Sequence, residues 1–268
     1  MAFISLKNIN VAYPMKEGGL HTVFSNLNVE IDRGEFVSII GETGCGKSTL
    51  LRLLLGSEHP KSGTVLVDGK PVKHPCRDRG YVPQKYSLFP DKTVIGNVVF
   101  GPIAESFSFL KLFTPDWWKR RHDIYEEAMD TLRRVGLTER DSRKYPDQLS
   151  GGMQQRVAIA QSLVMHPGIL LMDESFSALD PNTRKGMQQL IRSIWLESGT
   201  TVVFVTHNLA EAVSLGNRVL LIAKDHEADC SKIGLDMTIP DNPNTDELER
   251  IMHHLEGGTL HESVSNLV

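Results

Sequence analysis

The sequence predicts an α/β fold: a mainly parallel sheet, an antiparallel β subdomain at the N-terminus and an inserted α-helical subdomain. Three observations predict it. "FVSII", "ILLM", "TVVFVT" and "RVLLIA" are short apolar runs without alternation, as in parallel strands buried on both faces. Helical segments separate most of them, the pattern of an α/β protein. "FISLKNINVAY" and "FSNLNVEIDRGE" instead alternate apolar and polar residues, as half-buried antiparallel strands do.

Taken in order, the two alternating stretches are joined by the Pro/Gly-containing turn region "PMKEGGLHT". "EFVSII" then leads into "GETGCGKST", Gly41 to Thr49, which opens the apolar helix "STLLRLLLG". The stretch fits G-x-x-x-x-G-K-[ST] with a strand before it and a helix after it, the context that makes the motif a phosphate loop. In such a loop the backbone N–H groups of Gly44 through Lys47 cradle the β-phosphate. Lys47 reaches the β- and γ-oxygens and the Ser48 hydroxyl ligates Mg²⁺.

Between "YVPQ" and "LSGG", residues 94–148 read as the inserted helical subdomain. "DWWKRRHDIYEEAMDTLRRVGL" places Trp117, Ile124, Ala128, Leu132 and Val135 on one stripe, with Asp116 as N-cap and Gly136 as the stop. Just before it, Phe107, Phe109, Leu110 and Phe113 join Trp117 and Trp118 in an apolar segment that either fills the core of that subdomain, the reading favoured, or forms an apolar surface touching a transmembrane subunit or the membrane face. "LSGGMQQRVAIAQSL" opens a further helix, capped by Ser150 and stopped by His166-Pro167-Gly168. Gly151 and Gly152 cost helix propensity in its first turn. They let a ligand approach a helix N-terminus, which attracts anions. "ILLMDE" ends a buried strand with Asp173 and Glu174, at the carboxyl end where open α/β sheets place ligands. Asp173 suits a Mg²⁺ ligand and Glu174 the general base for an attacking water. Beyond Lys224 the regular pattern fades, and "ELERIMHHLEGG" reads as one short helix.

Composition narrows the function. A formal net charge of −4 gives no electrostatic case for nucleic acid. Cys45, Cys76 and Cys230 share no C-x-x-C spacing, which suits a reducing compartment without a disulfide framework. His253-His254 has no companion ligands for a metal site. No apolar run approaches ~20 residues, so neither a membrane span nor export through a signal peptide is expected.

The order of these motifs resembles that of the ATPase subunits of ABC transporters, over roughly Ile4 to Ala223. The resemblance implies a P-loop NTPase core in a cassette spanning 1–223, with 224–268 a short C-terminal extension. Gly41, Glu42, Thr43, Gly44, Cys45, Gly46, Lys47, Ser48 and Thr49 form its Walker A loop, and "ILLMDE" is Walker B. Tyr13 in "VAYP" matches the aromatic residue that stacks on adenine. Gln84 in "YVPQ" matches the glutamine that contacts Mg²⁺ or water, and His207 in "VTHN" the histidine on the γ-phosphate. "LSGGMQ" is the family signature, with Ser150, Gly151, Gly152 and Gln154. Asp180 in "SALD" is the D-loop aspartate tied to the opposite Walker A. The resemblance also implies that two copies dimerise head to tail around two ATP·Mg²⁺, each signature facing its partner's nucleotide. It implies separate transmembrane permease subunits, an extracytoplasmic solute-binding protein, and a place on the cytoplasmic face of the membrane. Within the family the motifs look most like importer subunits for nitrate, sulfonate and taurine. Ser175 stands where many relatives have proline, which is expected to loosen the D-loop.

Overall fold

Each non-alternating run forms a strand. The computed structural model describes residues 2–15, 18–106, 115–225, 229–240, 247, 250–253 and 255. The chain divides into two units, one of Met1–Cys76, Leu171–Glu174 and Arg192–Val268, the other of Arg77–Leu170 and Ser175–Ile191.

In the first unit β1 (Ile4–Pro14) and β2 (Leu20–Ile31) pair antiparallel, as their alternation predicts. Asn8 and Asn26 take positive φ, 52° and 55°, a conformation asparagine tolerates better than most residues. The Asn26 N–H donates to Asn10 Oδ1 and the Asn8 N–H to Asn28 Oδ1, holding the register shifts in place. β3 (Phe36–Gly41) is buried along nearly its whole length and runs parallel to β8 (Thr201–Val205) and β9 (Arg218–Asp225). β4 (Ser62–Val67) and β5 (Lys70–Pro71) extend the antiparallel edge beside β1. With the end of β7 (Ile169–Asp173), the order is β5-β4-β1-β2-β10-β9-β3-β8-β7.

That order contains a strand the sequence pattern misses. β10 (Cys230–Thr238) lies antiparallel to β9 and parallel to β2, so regular structure does not end at Lys224. Its apolar positions Ile233, Leu235 and Met237 are only half-buried, and glycine, lysine and aspartate dilute its apolar pattern. The short helix expected near the C-terminus is present at 250–253. Ile239 and Leu255 pack with Ala212, Val213, Val219 and Leu221, so the residues after β10 belong to this unit's core. α1 (Lys47–Leu55) buries Leu50, Leu51, Leu53 and Leu54. Each such side chain contributes about 1.5–3 kcal/mol relative to exposure.

The second unit is mainly helical. It holds β6 (Arg79–Val82), α2 (Val94–Ser106), α3 (Pro115–Arg134), α4 (Glu139–Ser142) and α5 (Gly151–Leu163), with most of α6 (Pro181–Ser198). The predicted stripe of α3 is buried from Trp117 to Val135, and Gly136 ends the helix at φ 78°. Asp116 does not cap α3: the helix already starts at Pro115, a residue suited to a first turn, and Asp116 lies inside that turn. Trp118 is 61% exposed, not core, and lies beside the Arg121 guanidinium, 5.7 Å from its ring centre. Phe107, Phe109, Leu110 and Phe113 lie outside the described residues. Among the described residues no helix is long and apolar enough to cross a membrane.

Candidate functional site

The site of the first unit lies at the carboxyl ends of neighbouring strands β3, β8 and β7. Gly46 shapes the loop after β3. It takes φ 98°, and a Cβ there would come within 2.6 Å of Val23 Cγ1 and 2.7 Å of Phe24 Cζ. No side chain fits at that position. The loop then enters α1 with the N–H groups of Gly46, Lys47, Ser48 and Thr49 lacking any acceptor among the described residues. Such unsatisfied donors, backed by the helix dipole, form an anion cradle.

Lys47 is only 6% exposed and folds over the loop, its Nζ donating to the Gly41 carbonyl at 2.7 Å and the Glu42 carbonyl at 2.8 Å. Glu42 and Thr43 are exposed on the loop, and Cys45 is buried beneath it, where burial pushes the thiol pKa up. Ser48 Oγ donates to Asp173 Oδ1 at 3.2 Å, bringing the expected hydroxyl and carboxylate ligands of a cation together from distant positions. The orphan donors and this oxygen pair fit a nucleotide phosphate with a hard divalent cation.

Glu174 follows in a left-handed conformation, φ 42°, its N–H bonded to the Val205 carbonyl at 2.9 Å. Its Oε2 lies 3.6 Å from Nδ1 of His207, whose side chain is 61% exposed. A network that the sequence reading passed over places His207. The Thr206 hydroxyl donates to Glu211 and accepts from the Asn208 N–H, while Asn208 Oδ1 caps α7 (Leu209–Leu215) at the Glu211 N–H. The spacing N-x-x-E in "NLAE" is a legible helix-start signal for it. Tyr13 stands in β1 with its hydroxyl 3.5 Å from Thr49 Oγ1 and hydrogen-bonded to Glu58, which also takes Arg52 at 2.9 Å. Its phenol is therefore fixed against α1, beside the loop.

Gln84, Ser150, Gly151, Gly152, Gln154 and Asp180 belong to the second unit. Gln84 is exposed just beyond β6. Ser150 caps α5 as predicted, accepting from the Met153 N–H at 3.3 Å. The two glycines differ. Gly151 is exposed, whereas Gly152 is buried and a Cβ there would lie 2.4 Å from Thr183 Cγ2. Gly152 thus owes its identity to a neighbouring helix as well as to any ligand. The amide nitrogen of Gln154 is engaged with the carbonyls of Pro146 and Leu149, bracing the turn before α5.

Asp180 caps α6 by accepting from the Thr183 N–H at 3.1 Å, and hydrogen bonding to Thr183 holds its carboxyl below the ordinary value. Arg184 grips the carbonyls of Phe176 and Leu179, fixing the loop that carries Asp180. Ser175 corrects the expectation of looseness: it is buried, and its hydroxyl donates to the Val82 carbonyl at 3.2 Å. A proline at 175 has no such bond to make.

Comparison with known proteins agrees with this chemistry. The family model described as ABC transporter matches residues 24–177. An uncharacterized ABC transporter ATP-binding protein of Methanocaldococcus jannaschii is 45% identical over 197 residues, covering 74% of this chain and 69% of that protein. A nitrate import ATP-binding protein of Synechocystis is 41% identical over 220 residues, 82% of this chain and 77% of that protein. Among solved structures, a dimeric ATP-binding cassette in a post-hydrolysis state bound to ADP and Pi is 32% identical, with a TM-score of 0.73. The match covers 89% of this chain and 99% of that one.

Proposed function

This chain belongs to the ABC transporter family, and we propose that it is the ATP-hydrolysing subunit energising import of a small solute of the nitrate, sulfonate or taurine kind through a separate permease. Its reaction is hydrolysis of ATP. The observation that carries the site assignment is the Ser48–Asp173 contact beneath a loop of unsatisfied N–H groups. In the proposed mechanism the N–H groups of Gly44 to Lys47 bind the β-phosphate and Lys47 bridges to the γ-phosphate. Ser48, Asp173 and Gln84 would hold Mg²⁺, which supplies charge neutralisation for the phosphate oxygens. Glu174 takes a proton from the water that attacks the γ-phosphorus, and ADP leaves. His207 hydrogen-bonds the γ-phosphate, and Tyr13 presents its ring to the adenine.

A second copy completes each site. Ser150, Gly151, Gly152 and Gln154 of one chain face the nucleotide on the other, and Asp180 reaches the opposite loop. A helix N-terminus at that place stabilises the γ-phosphate without a lysine. Closure around two ATP molecules drives the permease and hydrolysis reopens it. The similarity to nitrate and sulfonate import ATP-binding proteins supports cargo of that class, delivered by an extracytoplasmic solute-binding protein. It also supports a place at the cytoplasmic face of the membrane, held there by the permease.

The test is recovery of tagged Glu174→Gln chain from native membranes in mild detergent with ATP present. A multi-span protein in stoichiometric amount is the expected companion. Recovery of well-folded, ATP-bound chain with soluble proteins alone would overturn the transport reading.

A further inference from the structure

Tyr13, Glu58, Arg52 and Thr49 close a ring of side-chain contacts beside the phosphate loop. The Tyr13 hydroxyl donates to Glu58 Oε1, and Arg52 Nε donates to Glu58 Oε2 at 2.9 Å. Arg52 Nη2 donates in turn to Thr49 Oγ1 at 3.2 Å, and that oxygen stands 3.5 Å from the Tyr13 hydroxyl. Thr49 is buried and is the last residue of the loop motif. The ring therefore ties an aromatic side chain of β1 to the phosphate loop itself.

Glu58 is anchored at both its backbone and its side chain. Its N–H, with those of Gly56 and Ser57, points at the Arg52 carbonyl, so the turn after α1 is wound onto that residue. Its side chain is only 18% exposed although the turn lies at the surface. An ion pair to the half-exposed Arg52 adds little stability by itself. The second oxygen does something else: it fixes a phenol. Tyr13 is half-buried, one residue from the end of β1, and its partner across the strands, His21, is exposed. Neighbouring side chains there leave the ring rotameric freedom that the hydroxyl contact removes. A ring already held in its binding position costs a stacked base less ordering.

Resting on the ATPase reading above, with Tyr13 as its adenine platform, we propose that Glu58 is a positioning residue for the nucleobase. It holds the Tyr13 ring in fixed relation to Thr49, so that base and phosphates are gripped by one rigid unit. The chain thereby favours a nucleotide over a bare polyphosphate, although Glu58 touches neither.

The experiment compares binding of ADP and of inorganic pyrophosphate, each with Mg²⁺, to the purified full chain by calorimetry. Both ligands fill the phosphate loop, and only ADP carries a base to stack. Glu58→Ala is expected to weaken ADP binding by about fivefold to tenfold and to leave pyrophosphate binding within about twofold of the parent. Tyr13→Phe keeps the ring and cuts the same tether from its other end, so it is expected to show the same selective loss. It carries the test alone if the alanine variant does not fold. Because one tether is lost in both, the double variant should bind ADP within about twofold of either single variant. Parent-like ADP binding in the single variants would overturn the proposal. So would an equal loss for both ligands, the mark of a general structural role, or losses that multiply in the double variant. If the parent chain itself binds ADP no more tightly than pyrophosphate, the adenine-platform reading of Tyr13 fails, and the proposal with it.

Discussion

Glu174 is held in a left-handed conformation that costs a non-glycine residue about 1–3 kcal/mol, the kind of strain that accumulates where a side chain must be aimed. The Val205 carbonyl fixes its amide and His207 stands beside its carboxylate. Glu174→Gln keeps the shape and removes the base. It is expected to bind ATP with little change and to hydrolyse it at least about 100-fold more slowly, as read by phosphate release. Parent-like turnover would remove Glu174 from the base role. At this scale the sequence is informative about residue type and place. A strand-end acid pair, a glycine-rich loop and an N-cap serine are all local signals. Partnership is not local. The Ser175–Val82 and Ser48–Asp173 bonds arise only when distant elements meet.

Among the elements, α5 and α6 meet at Gly152 and Thr183. Gly152→Ala would drive a methyl into Thr183 Cγ2, an overpacking worth about 1–3 kcal/mol, and should lower the melting temperature. Thr183→Ser removes that methyl while leaving the N–H that Asp180 caps. The double variant should recover most of the loss in a thermal melt. If Gly152→Ala alone melts like the parent, the close approach is not what restricts this position. The helix period was legible where one face is clearly apolar, as in α3, and β3 was legible because both of its faces are. β10 was not. Its pairing with β2, about two hundred residues away, depends on a groove that β9 and β2 make between them, and its own residues carry little of that information.

For the whole assembly, the decisive property is whether a site is shared between copies. Mixing Lys47→Ala chains with Ser150→Arg chains leaves each mixed dimer one intact composite site. With random pairing and independent sites, about a quarter of parent ATPase activity should return. A site contained within one chain would be spoiled in every combination, and the mixture would show no more activity than either variant alone. The sheet order carries a separate consequence, for synthesis. β10 lies between the β1–β2 hairpin bearing Tyr13 and the strands around the phosphate loop, yet it emerges from the ribosome after almost everything else in the sheet. Until residue 238 is out, no strand pairs the hairpin to β9, and an apolar sheet edge stays open. Long-range closures of this kind fold slowly and leave nascent chains exposed to aggregation. A translational pause or truncation just before β10 would therefore strand a chain that already carries every nucleotide-binding motif but lacks the strand that assembles them.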